Sequence, residues 1–481
     1  MTFTSIEFAI FLPLVFAFYW LLQGRLRWQN MLVLVASYVF YGWWDWRFLS
    51  LIAFTSACSW LTGLAIKPAP GGRHTVVSRL ALWGNIAVNL AILGLFKYYD
   101  FFAAELAQLL HVESDAFMLR LALPVGISFY TFQALSYSID VYHQRIEPTR
   151  DVVAFFAYIS FFPQLVAGPI ERATSLLPQF QHKRTFDCAM AVDGCWQILW
   201  GLFKKMVVAD NCASIADTVF GGGGSPADHL IAALLFTFQI YGDFSGYSDI
   251  AIGTARLFGI RLMQNFRTPY FSRDIAEFWR RWHISLTTWF RDYLYIPLGG
   301  SRVGKWKVVR NTFIIFLVSG LWHGANWTFI AWGFYHACLF LPLILLGRNR
   351  RHTGTVAEGR LLPSWRELGQ MTLTFALVTA GWVIFRATGL PSCKAFFVSM
   401  LHPDALAGLL RIFTNSDIRQ ASVAVLVMLV VEWLQRTREH GLHGLDSLIK
   451  PLWARLLLYA VALHAVVFFS GLNKAFIYFQ F

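Results

Sequence analysis

Apolar runs of near-membrane length recur from one end of this chain to the other, among them "FAIFLPLVFAFYWLL", "LALWGNIAVNLAILGLF", "HLIAALLFTFQIY", "MTLTFALVTAGWVIF" and "SVAVLVMLVVEWL". Each approaches the roughly 20 residues that carry an α-helix across a hydrocarbon core. Backbone polar groups in lipid are satisfied only within helices or closed barrels, so runs of this length commit the chain to helices. About ten to twelve such spans are expected, several interrupted by Gly or Pro. Only 14% of residues are charged against 57% hydrophobic. No hydrophilic stretch is long enough for a separate soluble domain. The sequence therefore predicts an all-α polytopic integral membrane protein forming a single domain over 1–481.

Charge placement gives an orientation. The formal charge of +13 sits in loops, and basic loops mark the cytoplasmic side. Arg25/Arg27, Lys67/Arg73/Arg79, Arg145/Arg150, the runs 256–281 and 302–310, and "RNRRHTGTVAEGR" (348–360) are thus assigned inside. The acidic segment after Tyr99, the loop "GGGGSPAD" (221–228) and the tail after Leu472 fall outside. The first apolar segment, Ile6 to Leu22, has no basic residue before it and reads as an uncleaved helix rather than a signal peptide. Pro163 and Gly168-Pro169 predict a re-entrant half-helix over 159–172. No basic helix or stacking module stands free of the membrane, which argues against nucleic acid as a partner.

Several motifs resemble chemistry without supporting it. "GGSRVGKW" (299–306) matches a phosphate-binding loop until Trp306, where a hydroxyl is needed for Mg²⁺. "YGDFSGYSD" (241–249) does not satisfy the serine-elbow pattern. The six cysteines are scattered, with no paired spacing, and no metal-ligand spacing occurs, so no metal is expected.

Two histidines are harder to set aside. His323 lies in "FIIFLVSGLWHGANWTFIAWGFYHA" (313–337), apolar for many residues on both sides. An ionisable group there is expensive and points to function. Gly320 and Gly324 flank it and permit close approach of a ligand or another backbone; Asn326 adds an amide. His336 lacks this setting and reads as a packed core residue. His283 lies in "EFWRRWHISLTTWFRDYLYIPLGG" (277–300), the most ionisable stretch of an apolar chain. If 273–290 is one helix, Trp279 and Arg280 share its face while Glu277 and Arg281 pair at i,i+4. An interfacial amphipathic helix is the plain alternative. The Pro/Gly-broken stretch that follows looks re-entrant, as in the wall of a polar cavity. His283 and His323 are assigned toward opposite faces, which suits a tunnel.

The pairing of these two blocks resembles the signature of the membrane-bound O-acyltransferases. "LPVGISFYTFQALSYSIDVY" (123–142), "FFPQLVAGPIER" (161–172), "YGDFSGYSDIAIGTARLFGI" (241–260), "NFRTPYFSRDIAEFW" (265–279) and "GWVIFRA" (381–387) are similar to that family's bacterial polysaccharide branch, typified by alginate O-acetyltransferase membrane subunits. "KAFIYFQF" (474–481), within the aromatic tail 471–481, is similar to the ending of alginate-type members. The resemblance implies helices and re-entrant segments around a funnel or tunnel, in a bacterial inner membrane among lipid. It implies transfer of an acyl group from a cytoplasmic thioester donor, acetyl-CoA, to hydroxyls of an extracytoplasmic polysaccharide, with no bound cofactor and with periplasmic acetyltransferase or acyl-carrying partner proteins.

His323 corresponds to the family's invariant histidine and is expected as catalytic base; neutral imidazole is matched to that task. His283 matches its second histidine block. Trp322, Asn326 and Asp243 are expected to support the site, Asn326 and the backbone N–H groups at 324–326 as oxyanion donors and Asp243 either orienting a histidine or satisfying a buried donor. Arg280, Arg281 and Arg291 are expected to guide the anionic donor, with an ion pair to Asp292 or Asp274 the alternative for Arg291. Tyr478 is a possible acyl relay, or else part of an interfacial aromatic belt. The rival classes are a transporter or flippase of a glycan intermediate, and a non-catalytic scaffold of a secretion complex.

Overall fold

The computed structural model describes residues 1–66, 74–113, 117–166, 168–469, 474, 476 and 477. Among these residues every regular element is an α-, 3₁₀- or π-helix, and no strand occurs. Four helical stretches, 46–65, 76–110, 327–345 and 365–386, are individually long and apolar enough to cross a membrane. Among the described residues the pair Leu390–Met400 and Pro403–Thr414 is apolar enough in sum but bent by 74°, the shape of a broken span or a re-entrant loop. Ile6–Leu21 and Leu452–Phe468 are apolar but shorter. The helix Pro226–Leu257 has the length but carries Asp228, Asp243 and Asp249. The apolar runs of the sequence are thus realised partly as full spans and partly as short or polar-cored helices packed among them.

The chain packs as two compact units. The first comprises 1–195 with 251–263. Its central helix, Ile127–Tyr142, buries Ser128, Thr131, Gln133, Ser136 and Ser138 along with its apolar residues. Lipid cannot satisfy such groups, so they turn inward and bond across helices. Asn85 Nδ2 donates to Ser138 Oγ at 2.8 Å, and Asn30 Nδ2 donates to the Phe180 carbonyl at 2.7 Å. Leu, Val and Trp side chains such as Trp28, Leu80 and Trp83 point outward, each more than 60% exposed, as a lipid-facing surface would require.

The second unit comprises 196–250 with 264–481. Its most closely packed element is an antiparallel pair, Lys305–His323 and Trp327–Leu345, joined by the short turn Gly324–Asn326. Gly320 and Gly333 make the approach possible. A Cβ on Gly320 would overlap the carbonyl of Phe329, and one on Gly333 the carbonyl of Phe316. Small residues at such crossings are how helices pack when lipid removes the hydrophobic drive between them. The turn of this hairpin carries His323.

The ionisable segment does not form one helix. Ile275–Arg281 ends at Trp282, and Ile284–Phe290 begins after His283, whose backbone is left-handed (φ 43°, ψ 55°). A non-glycine residue there is unfavourable by about 1 kcal/mol. The break is stabilised from outside by Ile284 N–H donating to the Asn265 carbonyl at 2.9 Å and Arg267 N–H to the Arg281 carbonyl at 3.0 Å. The expectation that Trp279 and Arg280 share a helical face with His283 is therefore corrected, because the chain reverses its backbone hand between them. The Glu277–Arg281 pair is present at 2.8 Å.

Candidate active site

One cavity of about 520 Å³ in the second unit contains both singled-out histidines in its wall. Thr312, Ile315, Phe316, Ser319 and His323 line it from the helix Lys305–His323. Their spacing of three or four residues makes a single helical face, and the eleven-residue rise from Thr312 to His323 gives a path of about 16 Å. Because the hairpin is antiparallel, Asn349 and Arg350, which also line the cavity, follow the end of the partner helix at the Thr312 end. A basic mouth and a buried imidazole thus share one passage. Its wall between them is mainly apolar, with Leu286, Phe290 and Phe340.

At the inner end His323 is 6% exposed and His283 1%. The expectation of two histidines toward opposite faces is corrected: the break at His283 turns its ring into the same cavity. Trp322 makes ring contacts with both, with centroids 4.9 Å from His323 and 6.1 Å from His283. Trp332 and Phe385 close on His323 edge-to-face at 5.2 Å each. Gly324 is small for a reason visible here, since a Cβ would overlap the Phe329 ring. The close approach expected at Gly320 is made by another backbone, that of Phe329, and at Gly324 by the Phe329 ring. His336 is packed, fully buried among Trp279, Phe316, Trp332 and Tyr335.

The supporting residues divide. Asn326 is absent from the cavity wall. Its Oδ1 caps the helix by accepting from Thr328 N–H at 3.0 Å, and its Nδ2 donates to the Thr388 carbonyl at 3.0 Å. That corrects its assignment as oxyanion donor, because both ends of the amide are engaged in holding the turn. Asp243 meets neither imidazole in a hydrogen bond. It pairs with Lys205 at 2.8 Å and accepts from Ile477 N–H at 2.6 Å, so it satisfies buried donors. Lys205 also reaches Asp210 at 2.8 Å and the Lys474 carbonyl at 2.9 Å. This buried triad holds the chain terminus, with Phe476 against Tyr247 at 4.3 Å. Tyr478 itself lies outside the described residues.

The arginines divide as well. Arg280 and Arg291 line the cavity. Arg280 donates to the Asn349 and His352 carbonyls at 2.8 and 2.5 Å, and Arg291 pairs with Asp292 at 2.7 Å. Arg281 does not line the cavity, which corrects its assignment to the donor. It and Arg273 flank buried Glu277 at 2.8 and 3.0 Å. Burial pushes the Glu277 carboxyl up, but the hydrogen bonds and charges of Arg273 and Arg281 outweigh it and hold the group below its ordinary value. The pair fastens the short helix Ile275–Arg281 and leaves Arg280 to face the cavity.

Sequence reasoning missed Asn265. Its Oδ1 lies 3.0 Å from His283 Nδ1 and 2.9 Å from Ser285 Oγ. It stands first in the block "NFRTPYFSRDIAEFW", eighteen positions before His283, and no local periodicity joins the two. Ser319, Thr312 and Arg350 were also unmarked.

Comparison with known proteins gives consistent relatives. The profile of the membrane-bound O-acyltransferase family, MBOAT, matches residues 148–376, which include the whole of the cavity wall. "Probable alginate O-acetylase AlgI" of Pseudomonas aeruginosa is 43% identical over 404 residues, covering 83% of this chain and 75% of the relative. The peptidoglycan O-acetyltransferase of Helicobacter pylori is 34% identical, covering 81% of this chain and 78% of its own. The teichoic acid D-alanyltransferase of Bacillus subtilis is 27% identical, over 54% of this chain and 68% of its own.

Proposed function

Because the chain belongs to the membrane-bound O-acyltransferase family and is a multi-pass membrane O-acyltransferase, we propose that it takes an acetyl group from acetyl-CoA at the cytoplasmic face and passes it toward hydroxyls of an extracytoplasmic polysaccharide. The transporter and scaffold readings are set aside by that membership. The observation that carries the proposal is the shared passage: Arg350 and Arg280 stand at its mouth, and His323 lies at its inner end. The mouth belongs to the basic run 348–360, on the side assigned to the cytoplasm. An anionic donor head at the arginines would leave its acyl end free to follow the apolar wall inward.

His323 acts as general base in this reading. The acceptor oxygen attacks the thioester carbonyl carbon as its proton passes to the imidazole. The C–S bond then breaks, and the proton moves from the imidazolium to the leaving thiolate. General-base assistance of this kind contributes about 10²–10⁴-fold. The inner membrane is the location this direction requires. Alginate-like exopolysaccharide is the favoured acceptor class, since the relatives named for alginate O-acetylation share 40–43% identity with the chain. Acyl-carrying or periplasmic acetyltransferase partners would complete delivery to polymer, with Tyr478 a candidate relay.

The test is acetyl transfer from labelled acetyl-CoA to an alginate oligosaccharide by the purified protein in detergent or nanodiscs. Wild-type protein is expected to transfer and His323→Ala to lose at least about 10²-fold. Full activity in His323→Ala would remove the histidine from the mechanism.

A further inference from the structure

Asn265 holds three consecutive residues around the break at His283. Its backbone carbonyl accepts from Ile284 N–H at 2.9 Å. Its side-chain Oδ1 accepts from Ser285 N–H at 3.3 Å and from Ser285 Oγ at 2.9 Å, and faces His283 Nδ1 at 3.0 Å. Its Nδ2 donates to Ser248 Oγ at 3.1 Å. Asn265, Ser285, Ser248 and His283 are all 2% exposed or less.

These contacts fix a proton. A backbone N–H can only donate, so the Asn265 atom facing Ser285 N–H is the carbonyl oxygen, and that oxygen can only accept. The amide orientation follows from the Ser285 N–H, without reference to the histidine, and the Ser248 hydroxyl is free to accept from Nδ2 in that orientation. Ser285 Oγ also lies 3.4 Å from His283 Nδ1, but its hydrogen goes to Oδ1 at 2.9 Å, so the shorter Nδ1–Oδ1 contact at 3.0 Å is a hydrogen bond only when Nδ1 carries the hydrogen. In the neutral ring the lone pair is left on Nε2, which makes no hydrogen bond to any described residue.

We infer that Asn265 is a positioning residue that locks His283 as its Nδ1–H tautomer, so that Nε2 serves as the ring's hydrogen-bond acceptor in the cavity wall. Nε2 itself is buried beside the cavity, so an O–H or N–H that reaches it meets an acceptor, and the neutral ring cannot donate from that atom to a carbonyl or oxyanion. Its task differs from that of an oxyanion donor by construction. The kinetic part of this inference rests on the acyl-transfer reading above; the tautomer does not.

The charged surroundings are few. From the helix Pro226–Leu257, Phe244 meets the ring edge-on at 4.6 Å, while its neighbour Asp243 is engaged by Lys205 and Ile477 N–H. From the segment before the break come Asn265 and Phe266, and from the helix Lys305–His323 come Trp322 and titratable His323. Arg280, Arg291 and Arg350 share the cavity. A carboxylate placed at 265 would therefore be a new anion directly on Nδ1–H, and it would stabilise the imidazolium.

The experiment uses ¹⁵N-histidine-labelled full-length protein and the kinetics of two variants. His283 is assigned by the signal lost in His283→Gln. Its Nδ1 is expected protonated and its Nε2 unprotonated in wild type, with the preference lost in Asn265→Leu. In acetyl-CoA turnover Asn265→Leu is expected to lose about 10²-fold in kcat/KM. Asn265→Asp is expected to stay within about tenfold of wild type while the acidic limb of its pH profile moves to higher pH. A wild-type signal with Nε2 protonated overturns the inference. So does an Asn265→Asp profile that superimposes on wild type, or an Asn265→Leu enzyme with full activity. If Asn265→Leu does not fold, Asn265→Asp and the wild-type spectrum still decide it. If wild type transfers no acetyl group, the acyl-transfer reading falls, and the spectrum alone judges Asn265.

Discussion

Gly320 and Phe329 meet across the His323 hairpin with no room for a side chain at the glycine, since a Cβ there would overlap the Phe329 carbonyl oxygen. The contact lies three residues before His323, so it sets where that imidazole stands. Gly320→Ala is expected to separate the two helices, to destabilise by about 1–3 kcal/mol as overpacking does, and to reduce acetyl transfer at least tenfold. Gly369→Ala is the control, because nothing lies within 4 Å of its Cβ position and alanine suits a helix interior better. Thermal unfolding in detergent and turnover of both variants check this; equal behaviour of the two would separate the hairpin crossing from the site.

The buried Lys205 is a second point where one side chain holds much. It is 1% exposed and bonds to Asp210, Asp243 and the Lys474 carbonyl. Lys205→Met leaves two carboxylates facing each other in a dry interior, at a cost of about 3–5 kcal/mol. The same change releases the backbone anchor at Lys474. Faster cleavage near residue 474 under limited proteolysis is therefore expected, together with a lower Tm. Pairing it with Asp243→Asn should recover part of the loss, because the residual repulsion is then gone.

Much of this was legible in the sequence, and the parts that were not share a cause. The helical class follows from apolar run length alone, and the Glu277–Arg281 pair from i,i+4 spacing. His323 stands out because an ionisable group inside an apolar run is costly unless used. What local pattern could not supply was long-range placement. The break at Trp282–His283 depends on backbone bonds from Asn265 and Arg267, and a helical reading of 273–290 is the better local fit without them. In sequence Asn326 reads as an amide donor three residues after His323. In the folded chain it is the N-cap of Trp327–Leu345, a role that its place just before an apolar run already permits. Asp243 leaves two readings open in the sequence, orienting a histidine or satisfying a buried donor, and the arrival of Lys205 from another helix supports the second.

Glu277 gives a pH-dependent prediction. Its carboxyl is held below its ordinary value by Arg273 and Arg281, so ionised Glu277 stabilises the fold. That contribution is fully present above the ordinary glutamate pKa of about 4.3 and is lost as pH falls through the lower folded value. Glu277→Gln is expected to cost about 2 kcal/mol near neutrality by removing the charge of two charge-assisted pairs, since Arg273 and Arg281 both keep the Gly354 carbonyl and Arg273 keeps Glu367 at 3.8 Å. The gap in Tm between variant and wild type should narrow as the pH is taken below about 4. A gap that stays constant with pH would mean that the carboxylate charge is not what fastens this helix.

Arg350 tests the mouth of the passage apart from its chemistry. It is exposed and lines the cavity at the end away from His323. Arg280 beside it is committed to the Asn349 and His352 carbonyls, so its removal would disturb the loop as well. Reversing the charge in Arg350→Glu should weaken capture of an anionic donor while leaving the reacting groups at the other end of the passage untouched. The expected result is a KM for acetyl-CoA raised about tenfold with kcat within about twofold, since an interaction made equally in the ground and transition states affects only binding. Raising the salt from 0.05 to 0.5 M should increase the wild-type KM and narrow its difference from the variant, as screening acts on exposed charge. A loss confined to kcat would place Arg350 nearer the reacting bond than the cavity geometry does. An unchanged KM would mean that the donor enters by another route.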